Sequence, residues 1–319
     1  MYEFKSGFAN QLIEYLNFRE ALGFSKEHAR VLKYFDTFCF NFFPDRNLLT
    51  KDVVRGWFSH DIELGKKGFE NKASAIRGFA KHIGNGAYIL PMEYVPRAKQ
   101  FVPYVPTKAE LVALFNAAEN FKRKNEPFIN NTLVTMFKLM YSCGLRPNEC
   151  RKLETKNVSL NTGELLITKT KRCKERIVVM SDEMLNIMKE YDLKRNISVG
   201  TTEFFFVKAD GQPFSVQSFR NIFGKCWALA NPDVESHLLP HLRAYDLRHC
   251  FASTVLHKWI DEGRNLYAML PYLRAYMGHE RLDDTAYYIH ILPECLLSSP
   301  GVDWDRMDRI IPEVNIWTN

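Results

Sequence analysis

The stretch "ILPMEYVPRAKQFVPYVP" limits how this chain can fold more than any other. It holds four prolines, Pro91, Pro96, Pro103 and Pro106. Each removes a backbone N–H and biases the residue before it away from helix, so no helix crosses the region and the chain runs extended. A chain of 319 residues has room for about two domains. The expected organisation is a helical domain over 1–95, a linker over 96–106, a second domain over 107–293 and a tail over 294–319.

The front part reads as helices. "FANQLIEYLNFREALGF" carries Leu12 and Leu16 and stops at Gly23. "SKEHARVLKYFDTFCFNFF" is expected to start with Ser25 as N-cap and to set Leu32, Phe35, Cys39 and Phe42 on one face. A third helix starts at Thr50. In a fourth, "ENKASAIRGFAKHIG", Ile76, Phe79 and Ile83 share a face, with Lys72, Arg77 and Lys81 mostly away from it. These cations form either a solvated face or a phosphate-contacting one. Past the prolines, Thr107 and Glu110 form the S/T-x-x-E pattern of a capping box and open the next helix.

The second part mixes types. "NTLVTMFKLMYSCG" is a helix ending near Gly144. "GELLITKT" and "ERIVVM" are short β-branched runs joined by a basic stretch, the pattern of a hairpin. "TEFFFVKADGQPF" is expected to add a strand before an Asp-Gly turn. Helices follow at "VQSFRNIFGKCWALA" and "LRAYDLRHCFASTVLHKWI". The expected class is mainly α with a small antiparallel sheet.

Composition narrows the function classes. No apolar run reaches the ~18 residues of a membrane span, and "MYEFKSGFAN" lacks the pattern of a signal peptide. Seven scattered cysteines without a C-x-x-C pair favour reduced thiols and a cytoplasmic setting over disulfides or zinc. His237 and His241 are four apart, but Pro240 lies between them and no third ligand is evident, so no metal site is expected. The net charge of +6 permits a polyanionic partner. Residues 1–105 carry 15 Lys and Arg against 11 Asp and Glu, whereas the tail 294–319 carries 2 against 5.

Cations gather at three places in the second part: Arg146 in "CGLRPNECRKL", Lys171 and Lys174 in the hairpin, and Arg248 with His249 in "AYDLRHCFAS". Arginine presents a fork of donors that matches phosphate oxygens. Two such forks can hold one phosphodiester and stabilise the charge of a pentacoordinate transition state. A lysine in a basic site can supply a proton to a departing alkoxide. A tyrosine becomes a nucleophile where cations favour its phenolate. "MGHERLDDTAYYIH", residues 277–290, offers two adjacent tyrosines, which on a helix point about 100° apart and cannot share one role.

These segments, in this order, resemble the boxes of the tyrosine recombinase (phage integrase) family across roughly residues 105–292. "CGLRPNECRKL" is similar to its first-arginine box, "TKTKRCKERIVVM" to its hairpin lysine box, "YDLRHCFAS" to its second-arginine box, and "MGHERLDDTAYYIH" to its Gly-His box followed nine residues later by a tyrosine. The resemblance implies that Tyr288 is the nucleophile and Tyr287 a packing residue. It implies that Arg146 and Arg248 grip the scissile phosphate and that His279 bonds the phosphate or the leaving oxygen. Lys171 is then the general acid, with Lys169 and Lys174 open as alternatives. Glu149 is a candidate for orienting an arginine, and His249 for structural hydrogen bonding.

Tyr245 stands where the family often has His. A phenol can donate to a phosphate oxygen but does not titrate near pH 7. No cofactor is implied.

The implied activity is site-specific recombination of double-stranded DNA through a 3′-phosphotyrosine and a Holliday junction. The implied assembly is a homo-tetramer on DNA in the cytoplasm, at the nucleoid, with an accessory directionality factor left open. In a clamp of this kind Lys72, Arg77, Lys81, Arg97, Lys99 and Lys174 would contact phosphates. A DNA-relaxing enzyme of the type IB topoisomerase kind and an inactive DNA-binding regulator remain as alternatives. The tail is open between packing on its own domain and docking on a neighbouring subunit. Residues 258–276 are long between the boxes and suggest an extra turn or loop.

Overall fold

In the computed structural model the described residues are 3–24, 26–60, 66–84, 86–95, 103–168, 175–286 and 288. The chain divides into two compact units; the described residues of the first end at 95 and those of the second begin at 103.

Four helices build the first unit: α1 (Ala9–Ala21), α2 (Glu27–Phe42), α3 (Lys51–His60) and α4 (Lys66–Ile83). Leu12, Leu16, Leu32, Phe35, Trp57, Ile76 and Phe79 fill its core. The Phe35 and Trp57 rings meet edge-on at 5.0 Å, a favoured aromatic arrangement.

The expected start of α2 differs by one position: Lys26 occupies the N-cap, without a side-chain bond, and Ser25 lies outside the described residues. Phe42 also departs from expectation. Leu32, Phe35 and Cys39 are buried, but Phe42 is 55% exposed, in the last turn, where its ring packs on His60 at 4.8 Å.

Lys72 departs from the expected solvated face. It is 4% exposed, its Nζ donates to the Trp57 carbonyl at 3.0 Å, and the ammonium lies 4.2 Å from the Trp57 ring centroid. Its spacing of four and seven residues from Ile76 and Phe79 puts it on their face of α4. The aliphatic stem packs inward, and the carbonyl and the aromatic face receive the charge. Lys72 is therefore not a phosphate contact on a solvated face. Arg77 is engaged too: its Nε donates to the Leu90 carbonyl at 2.8 Å and a terminal nitrogen to the Pro91 carbonyl, tying down the segment after α4. Lys81 is exposed as expected. Arg97 and Lys99 lie outside the described residues.

The second unit contains α5 (Lys108–Glu119), α6 (Ile129–Cys143), α7 (Pro147–Arg151), β1 (Val158–Ser159), β2 (Glu164–Ile167), β3 (Arg176–Val179), α8 (Asp182–Ser198), α9 (Val216–Ala230), α10 (Asp246–Asp261), α11 (Leu266–Met277) and α12 (Asp283–Ala286). The capping box at Thr107 is present in full: the hydroxyl accepts from the Glu110 N–H, and the Glu110 carboxylate accepts from the Thr107 N–H. The three strands form one antiparallel sheet in the order β1-β2-β3, with Leu165 opposite Val178 and Ile167 opposite Arg176. The class is mainly α with a small antiparallel sheet, as expected.

Two local expectations differ. "TEFFFVKADGQPF" is not a strand. Phe204 makes an isolated bridge to Glu154, while Phe205, Phe206 and Val207 are buried in succession. A strand with one covered face alternates, whereas here the successive rings fill the core, 5.6 and 5.1 Å from Tyr191. α8 has no counterpart among the expected elements. It starts at a Ser181 cap and buries Met184, Met188, Tyr191 and Arg195 at helical spacing. The long segment 258–276 is mostly helix: it spans the end of α10 and nearly all of α11, whose start is capped by the Asn265 side chain. Among the described residues no helix is long and apolar enough to cross a membrane.

Candidate active site

The site is organised by two helix ends. α6 stops at Gly144, which has φ +62°; this left-handed backbone favours glycine, and a Cβ there would collide with the Phe251 ring. The turn delivers Arg146 to the N-cap of α7, with Pro147 as its first residue. Glu149, three residues on, returns its Oε2 to the Arg146 backbone N–H at 2.9 Å. α11 stops in the same way at Gly278, φ +66°, and His279 follows directly.

The last carbonyls of a helix lack intrahelical partners. Here three in succession are taken by arginines from three different elements. Arg176 at the start of β3 donates Nε to the Tyr276 carbonyl at 2.9 Å. Arg248 in the first turn of α10 donates a terminal nitrogen to Met277 at 2.5 Å. Arg146 donates to Gly278 at 3.1 Å. The second terminal nitrogen of Arg248 donates to the Gly144 carbonyl at 2.6 Å. Helix C-termini carry partial negative charge, so they hold these cations together despite their mutual repulsion.

Glu149 is the carboxylate at the centre. Its two oxygens take both terminal nitrogens of Arg176, at 2.9 and 2.8 Å, and Oε1 also takes Arg146 at 2.7 Å. Burial pushes its pKa up, but the hydrogen bonds and charge of Arg176, and then those of Arg146, outweigh burial and hold it at about 2. Arg248 is fully buried, which lowers its pKa, as does the Arg146 charge. A guanidinium has five N–H donors. Two of those on Arg248 go to carbonyls, and Nε has no partner among the described residues.

His279 is half-buried, with Nδ1 2.8 Å from the Thr285 hydroxyl. Burial first, then the charges of Arg248, Arg146 and Arg176, lower its pKa to about 3, so the ring is neutral at physiological pH. Its ring stacks with Tyr288 at 5.8 Å and 20°. His249 approaches Tyr288 from another side at 5.3 Å and Tyr245 at 5.2 Å. Burial lowers the His249 pKa to about 4. Tyr288 is 2% exposed; burial raises its phenol pKa, and the Arg248 guanidinium opposes that shift. Tyr245 lies beside Arg146.

Thus Arg146, Tyr245, Arg248, His279 and Tyr288, drawn from "CGLRPNECRKL", "YDLRHCFAS" and "MGHERLDDTAYYIH", come together in one place, with Glu149 holding an arginine. Lys169, Lys171, Lys174, Tyr287 and His290 lie outside the described residues. Arg176 and Thr285 were not singled out from the sequence. Arg176 looked like one more charge in a basic hairpin, and its contacts are to residues 27 and 100 positions away. Thr285 carried no charge to draw notice. Among the described residues no group of three or more His, Cys, Asp or Glu could hold a metal.

Comparison with known proteins agrees with this geometry. Residues 105–294 match the phage integrase family. An integrase/recombinase of Sinorhizobium fredii (strain NBRC 101917 / NGR234) is 32% identical over 197 residues, covering 61% of this chain and 62% of that protein. A second from the same organism is 26% identical over 91% of this chain and 95% of its own. Tyrosine recombinase XerD of Staphylococcus aureus is 26% identical over 77% of this chain and 79% of its own. Among solved structures, the Tn1549 transposon integrase in complex with transposon right end DNA superposes with a TM-score of 0.63 at 14% identity, over 87% of this chain and 94% of that one. XerH site-specific recombinase bound to difH substrate gives 0.62 at 18% identity, over 82% and 75%. The chain belongs to the phage integrase family, the tyrosine recombinases, and is an enzyme of that kind.

Proposed function

We propose that this chain is a site-specific DNA recombinase that cuts and rejoins strands through a covalent tyrosine link. The observation that supports this most is the convergence of Arg146, Arg176 and Arg248 on the last carbonyls of α11, beside His279 and Tyr288. Such a cluster suits a phosphodiester: donors stand ready in a site where low dielectric strengthens them.

In the proposed step Tyr288 loses its phenol proton to solvent as its oxygen attacks the phosphorus. A Tyr–O–P bond forms on the 3′ side and the P–O5′ bond breaks. Lys171 gives its proton to the departing 5′-oxygen. Arg146 and the remaining donors of Arg248 hold the non-bridging oxygens, with Tyr245 and His279 as further donors. The 5′-hydroxyl of a partner strand then gives its proton back to Lys171 and attacks the phosphotyrosine; the Tyr–O–P bond breaks, Tyr288 regains a proton from solvent, and a phosphodiester is restored. Bond count is conserved, so no nucleotide cofactor is consumed. With Tyr288 2% exposed, DNA binding has to uncover it before attack.

Two such exchanges in sequence pass through a Holliday junction and call for four copies of the chain on two duplexes. Curated relatives carrying integrase names and a transposon integrase among the structural neighbours support a role in moving a genetic element. The setting would be the cytoplasm, at the nucleoid, with a directionality factor as an accessory partner. The test is a recombination assay with two copies of the native site. Exchanged products are expected. Relaxation of supercoils without exchange would replace this function with that of a topoisomerase.

A further inference from the structure

We propose that Thr285 is a positioning residue for strand cleavage: its hydroxyl donates to Nδ1 of His279 and thereby fixes the ring proton on Nε2, so that the imidazole faces the arginine cluster as a hydrogen-bond donor. This rests on the proposed cleavage function of the same site.

The direction of this bond follows from where protons can go. Thr285 is fully buried, and its hydroxyl lies 2.8 Å from His279 Nδ1. Among the described residues this is the one polar contact its hydroxyl makes. The nearby Leu282 carbonyl already accepts two backbone N–H groups, from Thr285 and Ala286, at 2.8 Å each. If Nδ1 carried the proton and donated to Thr285, the hydroxyl hydrogen would be buried with no acceptor. Native structures avoid that arrangement. If the hydroxyl donates instead, every proton is placed, and Nδ1 must be the bare nitrogen.

A neutral imidazole holds one proton. The three arginines around His279 disfavour a second. The proton therefore sits on Nε2, for which the described residues offer no partner. His279 also lines a cavity of about 240 Å³ together with Arg176, Arg274 and Gly278. An N–H at this point adds an uncharged donor to a cationic cluster. It bonds an anionic oxygen without giving up a proton, as a partner that fixes the tautomer of a histidine allows.

Isotope-labelled histidine NMR on the full chain reads the tautomer directly, with the His279 signal assigned by its loss in His279→Gln. The expected wild-type spectrum shows Nδ1 unprotonated and Nε2 protonated. Thr285→Val keeps the shape, removes the hydroxyl, and is expected to release the tautomer into a mixture and slow covalent-adduct formation about tenfold or more with DNA affinity unchanged. Thr285→Ser is expected to restore both. His279→Gln, whose amide nitrogen can stand in for Nε2, is expected to keep more adduct formation than His279→Asn, which can replace only Nδ1. A protonated Nδ1 in the wild type overturns the proposal. So does a Thr285→Val protein with unchanged tautomer and unchanged adduct rate. If the wild type itself forms no adduct on DNA it binds, the cleavage function fails, while the spectrum still decides the tautomer.

Discussion

Arg176 grips both carboxylate oxygens of Glu149, at 2.9 and 2.8 Å, and joins the first residue of β3 to α7, the helix that Arg146 caps. The same carboxylate holds Arg146 by side chain and by backbone. One buried anion thus sets the position of two arginines, and the α11 carbonyls set the third.

Removal of that anion leaves three cations in mutual repulsion. Glu149→Ala is expected to destabilise the chain by about 3–5 kcal/mol, the cost of breaking a buried pair from one side, as read by denaturant unfolding. The pH dependence has a definite sign. The folded pKa, about 2, lies below the ordinary 4.5, so the stabilisation is present above 4.5 and fades as pH falls towards 2. Glu149→Gln should remove this component of the acid-unfolding curve. An unchanged curve would show that the ion pair contributes nothing.

Two histidines beside Tyr288 are expected to stay neutral well into acid. The pKa values of His279 and His249 are lowered from 6.5 to about 3 and about 4. The unfolded chain binds protons there before the folded one does, so stability rises with pH between about 3 and 6.5. An NMR titration should show both rings unprotonated at about pH 5, given the ordinary value near 6.5. Protonation of either ring near its ordinary value would contradict the buried, cation-flanked setting.

Lys72 and Lys81 have opposite roles although both sit on α4. Lys72→Ala is expected to cost about 1–3 kcal/mol of stability, from the lost cation–π contact and carbonyl bond. Lys81→Ala should stay within about 0.5 kcal/mol of wild type. If Lys81 meets a phosphate, its loss lowers the salt slope of DNA binding by about 1. Thermal unfolding and binding across a salt series separate the two. Equal effects of both substitutions on the salt slope would return Lys72 to the surface.

Much of this residue cluster was legible because its members sit in short local patterns. Gly144 before Arg146 and Gly278 before His279 mark helix ends, and helix ends project side chains into one place. What the sequence did not disclose depends on distance along the chain. No spacing rule links Arg176 to Tyr276, or Glu149 to a strand that begins 27 residues later. Lys72 shows a different limit. Its spacing from Ile76 and Phe79 pointed inward, but its charge pointed outward, and packing against Trp57 decided the matter. The Phe205 and Phe206 run had strand composition, yet a buried segment needs only one bridge when its side chains fill a core on all sides.

The most direct test of the covalent mechanism is a suicide-substrate trap. Nicked DNA carrying the native site is incubated with wild type, Tyr288→Phe and Tyr287→Phe, and the protein–DNA adduct is scored on a denaturing gel. Wild type and Tyr287→Phe should form the adduct and Tyr288→Phe should not. An adduct with Tyr288→Phe would place the nucleophile elsewhere. No adduct from any of the three, on DNA that each binds, would leave a DNA-binding protein without strand cleavage.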